Sequence, residues 1–140
     1  MKTYVETSFI VSLYVTDSRS IDSRQRVQTL STVWWTPLHS AEWAHAIAQQ
    51  IFRGTLSPSE AQEMYRQLED DRTDGPWLEV GLPDRALDLC ADLARRYGPK
   101  LGVRTLDSLH VACALELKAE HFWTFDERQA KLAKAEGLKT

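Results

Sequence analysis

Four acidic residues stand at equivalent places in the predicted alternation of strands and helices: Glu6, Glu42, Asp107 and Asp126. Glu6 ends the first predicted strand, and Asp126 follows the fourth. Glu42 and Asp107 fall in the first turns of predicted helices, after the second strand and before the fourth. Ligands of open parallel sheets bind outside the carboxyl ends of the strands. The spacing therefore predicts that the four acids converge on one crevice.

Such a cluster is suited to metal-dependent hydrolysis of a phosphodiester. Carboxylates at close range repel one another unless they are protonated or cations lie between them. Hard divalent cations prefer oxygen ligands, and the chain has no Cys/His spacing typical of zinc. One or two Mg²⁺ or Mn²⁺ ions could polarise the phosphodiester, generate hydroxide from bound water and stabilise the leaving oxygen.

Three of the four acids, each taken alone, also have a purely structural interpretation. An acid in the first turn of a helix complements the helix dipole, which stabilises by roughly 0.3–1 kcal/mol. That effect would account for Glu42 or Asp107, and Asp126 could be a helix N-cap. The coincidence of four acids at equivalent positions favours the metal site over these separate explanations.

The acids are positioned by an alternation that reads β-α-α-β-α-α-β-α-α-β-α. Strands are predicted at residues 2–5, 32–36, 77–80 and 121–125. The helix before Gly54 is expected to begin at Ser40 or a neighbour, and a helix at 83–97 is expected to close at Gly98 and Pro99. Thr105 is predicted to cap the next helix. Strands that alternate with helices indicate parallel pairing and a sheet covered on both faces.

Composition fits one globular domain over residues 1–140. The chain has 43% hydrophobic residues, a net charge of −3 and a pI of about 5.8, which argues against coating nucleic acid by bulk charge. No signal peptide and no apolar run of about 20 residues is seen, so we expect a cytoplasmic protein that does not contact membranes. Cys90 and Cys113 fall on apolar helix faces and are expected to be buried, reduced thiols.

The chain resembles the PIN-domain family, and as a stand-alone copy it is most similar to VapC-type toxins. Four segments carry the resemblance in family order, and together they span nearly the whole chain: YVETSFIVSLY (4–14), SAEW (40–43), LDSLHVA (106–112) and WTFDERQAKLA (123–133). The resemblance implies a three-layer α/β/α fold with a central parallel sheet of four to five strands and about seven helices. It also implies a metal-dependent endoribonuclease, the toxin of a type II toxin–antitoxin pair, that forms a homodimer and is inhibited by a small antitoxin.

Site residues follow from the same resemblance. Glu6, Glu42, Asp107 and Asp126 are carried over as metal ligands or water-activating acids for Mg²⁺ or Mn²⁺. Thr124 and Ser8 match polar residues near the site that would orient carboxylates or waters, although Ser8 could equally be a helix cap. Arg104 and Arg128 could hold phosphate beside the metals, or they could be ordinary surface residues.

Two features depart from the family pattern. The first acid is usually Asp, and Glu6 adds a methylene that moves the carboxylate by over an ångström. The alternative function is therefore a catalytically weakened or inactive PIN domain that binds RNA or an antitoxin. The segment 137–140 stands where the family usually adds a final short strand, so we expect that strand to be short or absent.

His110 follows Asp107 by three residues and shares its side of the helix. A general base is one interpretation. A hydrogen-bonded packing histidine is the favoured one.

Overall fold

A computed structural model describes residues 2–15 and 18–140. In chain order its elements are β1 (Thr3–Val5), α1 (Thr7–Tyr14), α2 (Ser20–Val27), β2 (Val33–Trp35), α3 (Pro37–Phe52), α4 (Pro58–Asp74), β3 (Trp77–Glu79), α5 (Ala86–Leu101), α6 (Thr105–Glu116), β4 (His121–Trp123) and α7 (Glu127–Ala135). The order of elements is the predicted one. The break predicted at 17–20 begins at a residue outside the described part of the chain.

The strands pair in parallel, as the alternation with helices predicts. They are hydrogen-bonded as two pairs, β1 with β4 and β2 with β3, where one continuous sheet was expected. An α/β fold with parallel strands and, over the described residues, seven helices is confirmed. The chain divides into two compact units, one of residues 1–6 with 81–140 and the other of residues 7–80.

The first unit is built around the β1–β4 pair. Tyr4 and Phe122 are fully buried and stack with their ring centroids 5.4 Å apart. Helix α6 is buried almost all round, since every residue from Ser108 to Ala114 is inaccessible to solvent. Near the end of the chain, Lys139 forms a single parallel bridge with His121, and its carbonyl accepts a hydrogen bond from Phe122 N–H at 2.7 Å. The expectation of a very short final strand is therefore met by one bridging residue.

The second unit has an aromatic core around β2, α3 and β3. Trp35 and Trp43 are each 2% exposed. Trp35 meets Trp77 edge to face at 5.6 Å, and Trp43 meets Tyr14 in the same way at 5.1 Å. Edge-to-face pairs stabilise beyond the area that they bury. Trp35 and Trp43 are core residues of the unit, and Trp77 and Tyr14 are half-buried beside them.

Helix α3 begins three residues earlier than the sequence pattern predicted. Thr36 is the N-cap, and its hydroxyl oxygen accepts from His39 N–H at 3.4 Å. The His39 side chain returns the bond by accepting from Thr36 N–H at 3.0 Å, which completes a capping box. Pro37 therefore opens the helix instead of only ending the strand, and Glu42 lies in the second turn, not the first.

Helix α5 runs through Gly98 and Pro99, where the sequence predicted its end. Its C-cap is Gly102, in the left-handed region at φ +65°. Gly102 N–H donates to the Gly98 carbonyl at 2.9 Å, the bond of a left-handed glycine cap. Pro99 falls in the last turn, where it has no N–H to donate to the Arg95 carbonyl, and the helix still continues to Leu101.

None of the helices in the described part of the chain combines the length and the apolar character that a bilayer crossing requires.

Candidate metal centre

Glu6 lies at the carboxyl end of the β1–β4 pair. Its N–H donates to the Trp123 carbonyl at 2.9 Å, which continues the parallel ladder by one residue and fixes the backbone. The residue is only 8% exposed. One of its carboxylate oxygens lies within 4.8 Å of a His110 ring nitrogen. A buried carboxylate beside an imidazole offers one oxygen and one nitrogen donor that could hold a cation.

His110 is held in place by a residue that the sequence interpretation did not single out. The Tyr4 hydroxyl and His110 Nδ1 are 2.7 Å apart, and both side chains are buried. The interpretation of His110 as a hydrogen-bonded packing histidine is therefore consistent with the structure. The proximity of His110 to Glu6 was not predicted from the sequence. A signal was present in the sequence, since Tyr4 and Glu6 are two residues apart in a strand and so share one face.

Asp107 and Asp126 line one open depression of about 240 Å³ in the first unit. The depression is lined by Gly102, Arg104, Asp107, Asp126, Glu127 and Arg128. Asp107 is in the first turn of α6, as predicted, and its carboxylate accepts from Arg104 N–H at 3.4 Å. Two acids that are 19 residues apart in the sequence thus face the same solvent-filled space.

Asp126 is also the N-cap of α7, so its structural interpretation is correct as well. Its Oδ1 accepts from Gln129 N–H at 2.8 Å, and its own N–H donates to Thr124 Oγ1 at 3.0 Å. Thr124 therefore orients the Asp126 backbone. The cap uses one carboxylate oxygen, and a carboxylate has acceptor capacity for further partners.

Arg104 and Arg128 border both acids. The Arg104 side chain is 88% exposed, and its Nε lies 3.9 Å from an Asp107 oxygen. With Asp107, Asp126 and Glu127 opposing these two arginines, the depression carries three negative and two positive charges and a net charge of −1. A net negative charge attracts a cation to the depression and repels a phosphate until a cation is bound.

Glu42 belongs to the second unit, where it is half-buried on α3. Thr7 Oγ1 donates to its carboxylate at 2.6 Å. Thr7 was not predicted to lie near the site, so this bond was missed. Ser8, the other polar residue carried over near the site, is exposed on α1.

The two cysteines match the sequence interpretation, since Cys90 and Cys113 are buried and free. Burial raises the pKa of the Cys113 thiol to about 11, and it raises that of Cys90 as well. Neither cysteine lines the depression that Asp107 and Asp126 share, so the metal donors available there are carboxylate oxygens.

Comparison with known families identifies the family of the chain. Residues 3–135 match the family model of the PIN domain. The chain belongs to the PIN-domain family. Among curated proteins, none matches this PIN domain.

Three solved structures share its fold at low sequence identity. VapC20 of Mycobacterium tuberculosis, described as a sarcin–ricin loop cleaving toxin, is 13% identical with a TM-score of 0.69, and the match covers 99% of this chain and 98% of that one. VapBC2 of Rickettsia felis, bound to a DNA fragment from its promoter, is 12% identical with a TM-score of 0.70, and the match covers 99% of this chain and 96% of that one. FitAcB of Neisseria gonorrhoeae is 16% identical with a TM-score of 0.70, and the match covers 94% of this chain and 93% of that one. The predicted PIN-like fold is thereby confirmed.

Proposed function

We propose that this PIN domain is a divalent-metal-dependent endoribonuclease and the toxin of a type II toxin–antitoxin pair. The observation that carries the proposal is that Asp107 and Asp126 share one open, arginine-bordered depression in a chain of this family. An acid used only as a dipole partner or a cap has no need of a second acid facing the same space.

The donor set fits Mg²⁺ or Mn²⁺. Carboxylates are the available anionic donors around the depression, and no cysteine lines it. We propose that Glu6, Glu42, Asp107 and Asp126 act together as the ligands and water-activating acids. A bound divalent cation would polarise the phosphodiester and supply hydroxide near neutral pH.

The side chains of the protein would bind and orient the RNA. Arg104 and Arg128 are exposed beside the acids and can donate paired hydrogen bonds to phosphate oxygens once a cation has reversed the local charge. Tyr4 holds His110, a ring nitrogen of which lies within 4.8 Å of a Glu6 carboxylate oxygen. Thr7 fixes the Glu42 carboxylate through its 2.6 Å bond.

The partners belong to the same proposal. The structural relatives include VapC toxins and VapBC and FitAB toxin–antitoxin complexes. By that likeness we propose an RNA substrate, a small cognate antitoxin, a homodimer and a cytoplasmic location. Expression without the antitoxin would then arrest growth of a bacterial host, and Asp107→Asn would relieve the arrest.

One residue favours a second function, a non-cutting PIN domain that binds RNA or an antitoxin. Glu6 stands where the family usually has Asp. Its backbone is fixed by the ladder bond to Trp123, so the extra methylene must be accommodated by the side chain. If the wild-type protein is inert and Glu6→Asp restores cleavage, the second function is correct.

The test is cleavage of total RNA by purified protein with Mg²⁺, with Mn²⁺ and with EDTA. The proposal predicts cleavage with metal, none with EDTA, and at least a 100-fold loss in Asp107→Asn, by the general scale of losing one preorganised charged group. Asp88→Asn is the matched control, because Asp88 is an exposed first-turn acid of α5 outside the depression. Full activity in folded Asp107→Asn would exclude the proposed site.

A further inference from the structure

Gln129 is an unusual buried residue. It lies in the first turn of α7 and is 1% exposed. Glutamine is mostly a surface residue, and a buried polar side chain costs free energy unless it is hydrogen-bonded. A methionine would fill nearly the same volume without that cost, so packing alone does not account for a glutamine here.

The hydrogen bonds of Gln129 link the two acids of the depression. Its Nε2 donates to the Asp107 backbone carbonyl at 3.1 Å. Its Oε1 accepts from the Thr124 hydroxyl at 2.6 Å, and Thr124 Oγ1 in turn accepts from Asp126 N–H. The backbone N–H of Gln129 donates to the Asp126 carboxylate at 2.8 Å. One side chain thus connects the start of α6 with the loop that carries Asp126.

The orientation of the Gln129 amide follows from its partners. The Asp107 carbonyl can only accept, so the NH₂ group must face it. The Thr124 hydroxyl already accepts from Asp126 N–H, and its hydrogen is directed to the remaining oxygen of the amide. A flipped amide would set two carbonyl oxygens against each other, so a single arrangement satisfies every group.

We propose that Gln129 is a positioning residue that holds Asp107 and Asp126 at the separation a shared divalent cation requires. The inference deepens the proposed function and rests on it. Mg²⁺ demands near-ideal octahedral geometry, so its affinity is sensitive to small displacements of its ligands. Partners that orient metal ligands typically change metal affinity by about 10- to 100-fold when they are removed.

The experiment measures Mn²⁺ binding to the purified full chain by electron paramagnetic resonance, without RNA. Gln129→Met keeps the buried volume and removes both hydrogen bonds of the side-chain amide. We expect its Mn²⁺ affinity to be about tenfold weaker. Leu132→Ala is the control for a loosened α7, because Leu132 is fully buried on the same helix. It is expected to lower the thermal midpoint and to leave Mn²⁺ affinity unchanged.

A second pair of variants tests the hydrogen bond between Thr124 and Gln129 by changing Thr124. Thr124→Val removes the hydroxyl that joins Gln129 to the Asp126 loop, whereas Thr124→Ser keeps it. We expect Thr124→Val to weaken Mn²⁺ binding about as much as Gln129→Met, and Thr124→Ser to restore it. This pair carries the test on its own if Gln129→Met does not fold.

The outcomes separate this inference from the proposed function. No Mn²⁺ binding by the wild-type protein would overturn the proposed metal site and the inference with it. Wild-type binding that is equally strong in folded Gln129→Met or Thr124→Val would overturn the positioning role alone. Equal weakening in Gln129→Met and Leu132→Ala would show a general effect of α7 packing and would also overturn it.

Discussion

Substitutions at Asp126 separate its two roles, because one of them depends on charge and the other on hydrogen-bond geometry. Asp126 caps α7 through its 2.8 Å bond from Gln129 N–H and also lines the depression with Asp107. Asn at an N-cap accepts the same hydrogen bond about as well as Asp does. Asp126→Asn therefore keeps the cap and removes the charge, whereas Asp126→Ala removes both.

The expected stabilities follow from the cap. Asp126→Ala should lower the free energy of unfolding by about 1 kcal/mol, the usual effect of a lost N-cap. In a chain of this size that corresponds to a decrease of about 3 °C in the thermal midpoint. Asp126→Asn should stay within about 0.5 kcal/mol of the wild-type protein, because the lost dipole interaction is offset by weaker repulsion from Asp107 and Glu127.

The assay combines thermal unfolding, with and without Mn²⁺, and RNA cleavage. A ligand that binds the folded state raises the midpoint in proportion to the logarithm of its concentration over its Kd. Mn²⁺ should therefore raise the midpoint of the wild-type protein and leave both Asp126 variants nearly unchanged. Both variants should lose cleavage, although only Asp126→Ala is destabilised.

Ser57→Ala is the matched control for a lost cap. Ser57 caps α4 in the second unit with a capping box to Glu60, and it does not line the depression. Its substitution should cost about 1 kcal/mol of stability and leave the response to Mn²⁺ intact. The reasoning is refuted if Asp126→Asn cleaves RNA at the wild-type rate and shows the wild-type shift with Mn²⁺.

Three further predictions concern other parts of the first unit. The hydrogen bond from the Arg96 guanidinium holds the pKa of Glu136 below its ordinary value of 4.5. The ionised Glu136 therefore stabilises the folded state fully above pH 4.5, and this contribution is lost as the pH falls through the lowered pKa. Glu136→Gln should reduce stability by about 1 kcal/mol at neutral pH and by less in acid, as urea unfolding would measure; a pH-independent difference would contradict this. Cys90 and Cys113 should not react with a thiol reagent at pH 8 until urea unfolds the chain, and rapid native labelling would contradict their burial. Gly102→Ala should cost about 1 kcal/mol because φ is +65°, and an unchanged thermal midpoint would show that this cap is not needed.

The order of elements could be predicted from the sequence because local signals agree with the fold. Ser57, Pro58 and Glu60 are typical of a helix start, and Ser57 and Glu60 form a capping box at the start of α4. Where two local signals competed, the predicted boundary of the helix was wrong. Pro37 can end a strand or open a helix, and the reciprocal bond between Thr36 and His39 decided for the helix.

The end of α5 shows the same competition. Gly98 and Pro99 form a strong breaker pair in the sequence, but Gly102 supplies the left-handed cap that ends the helix. A Pro in the last turn removes only one hydrogen bond, and the choice between the two glycines depends on how the helix packs. That information is not local to the segment.

The acids of the depression and Thr124 could be predicted, but the contacts of Tyr4 and Gln129 could not. Asp107 and Asp126 follow from topology, because parallel strands and the helices beside them present their ends at one edge. Tyr4 and Gln129 act through side-chain contacts between segments about 106 and 22 residues apart. Spacing along the chain does not encode such contacts, and a buried glutamine looks like a surface residue in a helical pattern.

The most direct test of the central claim is a crystal of the protein soaked in Mn²⁺ and measured at a wavelength where manganese scatters anomalously. The account predicts an anomalous peak within bonding distance of carboxylate oxygens of Asp107 and Asp126, and its disappearance in Asp107→Asn. A saturated crystal with no peak at these two acids, or with its only peaks elsewhere, would contradict the account.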